Sequence, residues 1–157
     1  MGILSLILLL SVYSCTQKVQ TQPNIIGKWK IVAANNGVYY DYKTDSSFVT
    51  KWLLDSLVGR KDSAITIEMS SSFASQHVDY YFTFDEKGNY QVIRAGKLSV
   101  YGQYTLNNTS QTIEVLYGSG EKKRPGSFKF KFEKNKLTLF LSSLMGEDFE
   151  LTLERSQ

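Results

Sequence analysis

From residue 80 to the C-terminus the chain alternates apolar and polar positions with a period of two. Phe128, Phe130 and Phe132 are separated by Lys129 and Lys131, the pattern of a strand with one face buried and the other in water. The same alternation runs through Tyr80/Phe82/Phe84, Tyr90/Val92, Gly102/Tyr104/Leu106, Ile113/Val115, Leu137/Leu139/Leu141 and Phe149/Leu151/Leu153. Polar turns at 85–88, 107–110 and 134–135 separate these runs, as hairpin connections require. Nearer the N-terminus Trp29, Ile31 and Ala33 alternate with Lys28, Lys30 and Val32 and predict a first strand. Asn35-Asn36-Gly37 is a turn signal, and residues 38–42 are the returning strand. The period then changes. Phe48, Val49, Trp52, Leu53 and Leu57 fall on one stripe of a helix, so one amphipathic helix is predicted over 46–58, capped by Asp45 or Ser46 and ended by Gly59. Ile65 and Ile67 predict another strand, with Ser70-Ser71-Ser72 as a loop.

These elements add up to an all-β chain of eight to ten antiparallel strands. Short turns leave no room for the long crossovers of a parallel sheet. A meander with one aromatic face is satisfied by curling until its edges meet, so an up-and-down barrel over 25–157 is expected, with a two-sheet sandwich as the alternative. Barrels of this size are filled by side chains or hold one small ligand. Tyr80, Phe82, Tyr90, Tyr104 and Phe130 are the candidate lining residues for a small apolar ligand. The same aromatics packing against one another, leaving no cavity, is the competing expectation. Tyr39, Tyr42, Tyr81 and Tyr101 have the opposite parity and are expected outside.

The first fifteen residues obey neither period. An apolar run over 3–12 ends close to Cys15, the only cysteine. It is too short to span a bilayer, which needs about 20 apolar residues, and has the length of the hydrophobic region of an export signal. Leu10-Ser11-Val12-Tyr13-Ser14-Cys15 resembles the lipobox of bacterial lipoproteins. That resemblance implies removal of 1–14, acylation of Cys15 and a lipidated tether over 15–24, hence attachment to a membrane in the cell envelope. Thr16 is not acidic, which by the same resemblance points to the outer membrane. A plain signal peptide with an incidental Cys15, or an uncut anchor, is the alternative.

Within the domain, Ile25-Ile26-Gly27-Lys28-Trp29-Lys30-Ile31 resembles the Gly-x-Trp signature that opens lipocalin-like barrels. Residues 82–90, with an aromatic strand, a Gly-containing turn and an aromatic return, are similar to a hairpin of that family, and 102–106 to a later strand. The combination with a lipobox is similar to small lipocalin-like lipoproteins of diderm bacteria. The resemblance implies structural roles for Gly27, which lets the chain bend into the barrel floor, and for Trp29, which fills it.

Catalysis finds little support in the sequence. His77 is the single histidine, so neither a His-rich metal site nor an obvious triad can be assembled, and its position reads as exposed loop. No Gly-x-Ser-x-Gly elbow occurs, and Gly118-Ser119-Gly120-Glu121-Lys122 lacks the ending and the helix of a phosphate loop. The net charge of +3 is mild, and the one compact basic run, 121–126, contains Pro and Gly and reads as a hairpin tip, which argues against nucleic acid. The expectation is a non-enzymatic protein without cofactor, membrane-bound through Cys15, that binds a small apolar molecule. The alternative is a non-catalytic accessory or interaction protein of the cell envelope with a filled barrel.

Overall fold

The computed structural model describes residues 24–118, 123–142 and 148–156. The expected lipidation site Cys15, the signal segment 1–14 and all but the last residue of the tether lie outside the described residues.

The chain forms ten strands and two helices: β1 (Gly27–Asn35), β2 (Val38–Asp41), β3 (Ser46–Val49), α1 (Lys51–Ser56), α2 (Ser63–Ser75), β4 (Tyr80–Phe84), β5 (Asn89–Arg94), β6 (Lys97–Asn107), β7 (Thr112–Tyr117), β8 (Arg124–Glu133), β9 (Lys136–Ser142) and β10 (Asp148–Arg155). β4 to β10 pair in sequence order, and β1 lies between β4 and β10. Eight strands therefore close into an antiparallel up-and-down barrel. The closing seam runs from Trp29 opposite Arg155 to Asn35 opposite Glu150. β2 and β3 extend from the far end of β1 as a hairpin that joins no barrel strand beyond it.

Local chemistry explains most of these elements. The hairpins at Ala95-Gly96 and Lys134-Asn135 each place both central residues at positive φ (46° and 75°, 47° and 65°), the turn whose twist matches that of its flanking strands. In the 85–88 turn the Asp85 carboxylate accepts from the backbone N–H groups of Lys87 and Asn89. The Asn89 side-chain amide, which donates to the other Asp85 oxygen at 2.9 Å, and then these backbone bonds hold the Asp85 carboxyl below the usual carboxylate range. Strand β1 carries a bulge: its register against β10 shifts between Ile31 and Ala33, so inward parity passes from Trp29 and Ile31 to Ala34. Alternation read from sequence alone misses that shift.

The barrel interior is a continuous core. Trp29, Phe82, Phe84, Tyr90, Ile113, Phe130, Leu137, Leu139, Leu151 and Leu153 are all buried in it, and Ala74 of α2 closes it at one end. All the described core residues and barrel strands lie from Ile25 onward, so the segment from Asn24 carries its own core and closed sheet.

Two expectations about the connection between β1 and β4 are corrected. The expected helix over 46–58 begins as strand β3, whose residues pair with β2; only 51–56 are helical, with Thr50 in the N-cap position. Asp45 caps nothing. It sits at φ 50° in the hairpin turn and accepts the Tyr40 hydroxyl. Of the expected apolar stripe, Leu53 and Leu57 are buried, whereas Phe48 and Trp52 are exposed. The expected strand at Ile65/Ile67 and the loop at Ser70–Ser72 are instead helix α2. Its inner face carries Ser70 and Ala74 and Ile67, which packs on Val38, Leu53 and Leu57, while Ile65, Met69 and Phe73 form an exposed ridge at i, i+4, i+8. The basic run is not wholly a tip either: Arg124-Pro125-Gly126 belong to β8 and pair with β7, and 121–122 lie outside the described residues.

Candidate functional site

The barrel has a closed floor. Trp29 is 0% exposed, its indole N–H donates to the Ile25 carbonyl at 2.7 Å, and Phe132 meets it edge-on at 6.0 Å. From the end of β10 the Arg155 guanidinium lies 4.7 Å over the Trp29 ring and donates to the Ile26 and Asn24 carbonyls at 2.8 and 2.6 Å. Gly27 has φ +134°, and a Cβ there would stand 2.7 Å from Arg155 Nη1. Gly27, Trp29 and Arg155 thus form one interlocked plug. Nothing in the sequence distinguished Arg155, one of eighteen Lys and Arg.

The five candidate lining residues are distributed through the barrel core. Phe82, Tyr90 and Phe130 are buried and Tyr80 and Tyr104 half-buried, all within or against the barrel core. Phe84, which was not among the candidates, links several of them, with ring centroids 6.5 Å from Phe82, 6.5 Å from Tyr90 and 5.1 Å from Tyr104. The Tyr104 hydroxyl is spent on the Asp85 carbonyl at 3.0 Å. Tyr90 packs so close to β6 that a Cβ at Gly102 would fall 2.7 Å from its ring and 2.3 Å from the Leu116 carbonyl oxygen. Burial pushes the Tyr90 hydroxyl up to about 12, so it is a neutral core group at physiological pH. None of the five lines any of the clefts described below.

Tyr80 sits at the opposite end, under an aromatic cap. Phe73 and His77 follow one another at the C-terminal end of α2, and their rings lie 5.1 Å apart. His77 is 5.0 Å from both Tyr80 and Phe149, and Phe73 is 5.0 Å from Phe149. Tyr42, expected outside, instead packs against the core just after β2; its hydroxyl donates to the Ala74 carbonyl of α2, and burial raises its pKa. His77 is therefore not an exposed loop residue but a half-buried part of the cap. Burial, with a smaller contribution from the Arg94 charge, lowers its pKa below the usual histidine value. The i, i+4 spacing of Ile65, Met69, Phe73 and His77 is the sequence signal that was there to be found.

Beside this cap lies a cleft of about 500 Å³ between the helices and the barrel rim. Trp52, Leu53 and Leu57 come from α1 and its C-terminal turn, Thr66 and Ser70 from α2, and Asn35, Phe140, Phe149 and Glu150 from the ends of β1, β9 and β10. Glu150 is flanked in register by Asn35 and Phe140, so three adjacent strands present one rim surface. Asn36, 7% exposed, fixes the opposite wall by donating to the Ser70 carbonyl at 3.1 Å and accepting from the Val38 N–H at 3.3 Å. Arg60 also borders the cleft, but its guanidinium is engaged by both Asp62 oxygens, at 2.9 and 2.6 Å. A depression of about 590 Å³ elsewhere is formed by β6, β7 and β8 alone and has no opposing wall. The rim cleft is within the roughly 300–1,000 Å³ of small-molecule sites and combines apolar walls with a few polar groups, as such sites do. Its residues come singly from separate elements, which is why no motif announced it. Among the described residues no three His, Cys, Asp or Glu side chains gather as a metal site.

No family model and no curated protein matches the sequence. Among solved structures the chain is similar to a DUF4847 family protein from Bacteroides vulgatus ATCC 8482, with a TM-score of 0.44 and 13% sequence identity over 83% of this chain and 94% of that one.

Proposed function

We propose that this protein is a lipid-anchored, non-catalytic binding protein of the cell envelope, built on a lipocalin-like barrel, and that it takes a small apolar molecule at its rim rather than inside the barrel. One observation carries the location: the candidate interior residues belong to one contiguous core cluster, while the cleft bounded by α1, α2 and three strand ends is open. Trp52, Leu57, Phe140 and Phe149 supply apolar contact there, and burial of such surface is the main source of affinity for an apolar ligand. Attachment rests on the lipobox resemblance ending at Cys15. If two or three acyl chains are attached, anchoring is essentially permanent, since each buried methylene contributes ~0.8 kcal/mol.

The binding test is titration of the domain from Asn24 onward with a neutral apolar dye such as 1-aminoanthracene. Saturable uptake that is weakened by Trp52→Ala and Phe140→Ala, and left intact by Lys129→Ala on the outer wall of β8, supports the reading; no saturable uptake overturns it. The anchoring test is separate: Cys15→Ala in the full chain is expected to abolish acyl labelling and release the protein from the membrane fraction. The exposed Ile65–Met69–Phe73 ridge favours one second reading, an accessory protein that associates through α2, because monomeric surfaces rarely expose contiguous apolar ridges without use.

A further inference from the structure

The chemistry of the rim cleft narrows its ligand. Ser70 is 7% exposed and lines the cleft. Its carbonyl accepts from Asn36, but its Oγ has no hydrogen-bond partner among the described residues. That hydroxyl keeps some solvent contact and so has donor and acceptor capacity to offer a polar group placed in the cleft. The charges around it point one way. Arg60, the cation in the lining, is already held at two points by the Asp62 carboxylate, whereas the half-buried Glu150 carboxylate has no ion pair or hydrogen bond among the described residues. In a chain of net charge +3 the cleft thus offers a carboxylate without a partner among the described residues. An anionic amphiphile would have to strip Arg60 from Asp62 and approach Glu150. A cation would meet an unpaired carboxylate and an unused hydroxyl, set beside Trp52 and Phe140, whose ring faces also attract positive charge.

We propose that the rim cleft binds a cationic amphiphile, a molecule with an apolar body and an amino group, with the ammonium donating to Glu150 and Ser70 and the body lying against Trp52, Leu57, Phe140 and Phe149. This rests on the preceding proposal that the cleft is a binding site. The experiment compares decylamine, 1-decanol and decanoate, equal in chain length and different in head group, titrated into the domain from Asn24 onward below their aggregation concentrations. Saturation is read from the emission of Trp52, the exposed one of the two tryptophans. Decylamine is expected to bind about fivefold tighter than decanol, the worth of one partly exposed charge pair, and decanoate at least tenfold weaker than decylamine. Glu150→Gln is expected to bring the amine to the level of the alcohol, and Ser70→Ala to weaken amine and alcohol alike by about threefold. Asp62→Asn, which frees Arg60, is expected to improve decanoate severalfold and leave decanol unchanged. Equal binding of the three probes, or preference for decanoate in the unmodified protein, overturns the cationic class while leaving the cleft as a site. Absence of any saturable change with all three overturns the site as well.

Discussion

The two ends of this barrel treat their polar groups in opposite ways. At the floor, the Trp29 indole N–H, the Ile26 and Asn24 carbonyls and the Arg155 guanidinium all bond to one another's segments, around a ring with no exposed surface. At the rim, the Ser70 hydroxyl and the Glu150 carboxylate border a cleft with no partner among the described residues, and large apolar residues of α2 stand in solvent. A closed barrel supplies its own stability through its core and its seam, so one end is free to carry groups that do not help folding. Function sits in such sites rather than in the fold that holds them. The difference teaches where to look: the aromatic interior, which the sequence advertises most loudly, supplies most of the core, and the rim carries a cleft with polar groups open to it.

The comparison predicts unequal responses to mutation. Trp29→Ala should have the largest effect, about 3–5 kcal/mol of stability in denaturant melts; a loss below about 1 kcal/mol would remove the floor from this account. Gly102→Ala, which drives a methyl group into the Leu116 carbonyl and the Tyr90 ring, should cost about 1–3 kcal/mol by overpacking. Arg155→Met, which keeps bulk over Trp29 but loses both backbone hydrogen bonds, should cost about 1–2 kcal/mol. At the other end Met69→Ser, 66% exposed, should stay within about 0.5 kcal/mol of the parent. If the rim variant proved as damaging as the floor variants, the two ends would not differ as described.

The smallest expected effect is a pH dependence confined to the cap. Burial lowers the folded-state pKa of His77, so as pH falls below the ordinary value near 6.5 the unfolded chain takes up the proton first. The unfolded state then binds more protons, and stability rises with pH. The contribution of His77 is therefore complete above that ordinary value and is lost as pH falls through the lowered one. Thermal melts between neutral and mildly acidic pH should show this decline in the parent protein and a smaller decline in His77→Gln. An equal decline in both would place the titrating group elsewhere.

Much of the fold was legible because strands β4 to β10 bury one face and wet the other, so each declares itself by parity. The floor was legible in part: Gly27 and Trp29 stand in a short recognisable run, whereas Arg155 reaches them from the other end of the chain. Helix α2 was hidden by an inversion. Its inner side is Ile67, Ser70 and Ala74, while Ile65, Met69 and Phe73 are exposed, so most of its apolar pattern marks the exposed ridge and not the core. The β1 bulge hid for a related reason, since one extra residue reverses parity without any change in composition. The rim cleft was out of reach of sequence reading, because Trp52, Ser70, Phe140 and Glu150 become neighbours only once helices and strand ends are placed.

The central claim is that recognition occurs at the rim and not in the barrel. The chain has two tryptophans, one sealed in the floor and one, Trp52, 55% exposed on the cleft, and so gives two indole N–H resonances that report the two ends separately. In titrations with decylamine or 1-aminoanthracene the Trp52 resonance should move saturably while the Trp29 resonance and the ring signals of Phe82, Tyr90 and Phe130 stay in place. Movement of those interior signals with Trp52 unchanged would contradict the account and return the ligand to the barrel.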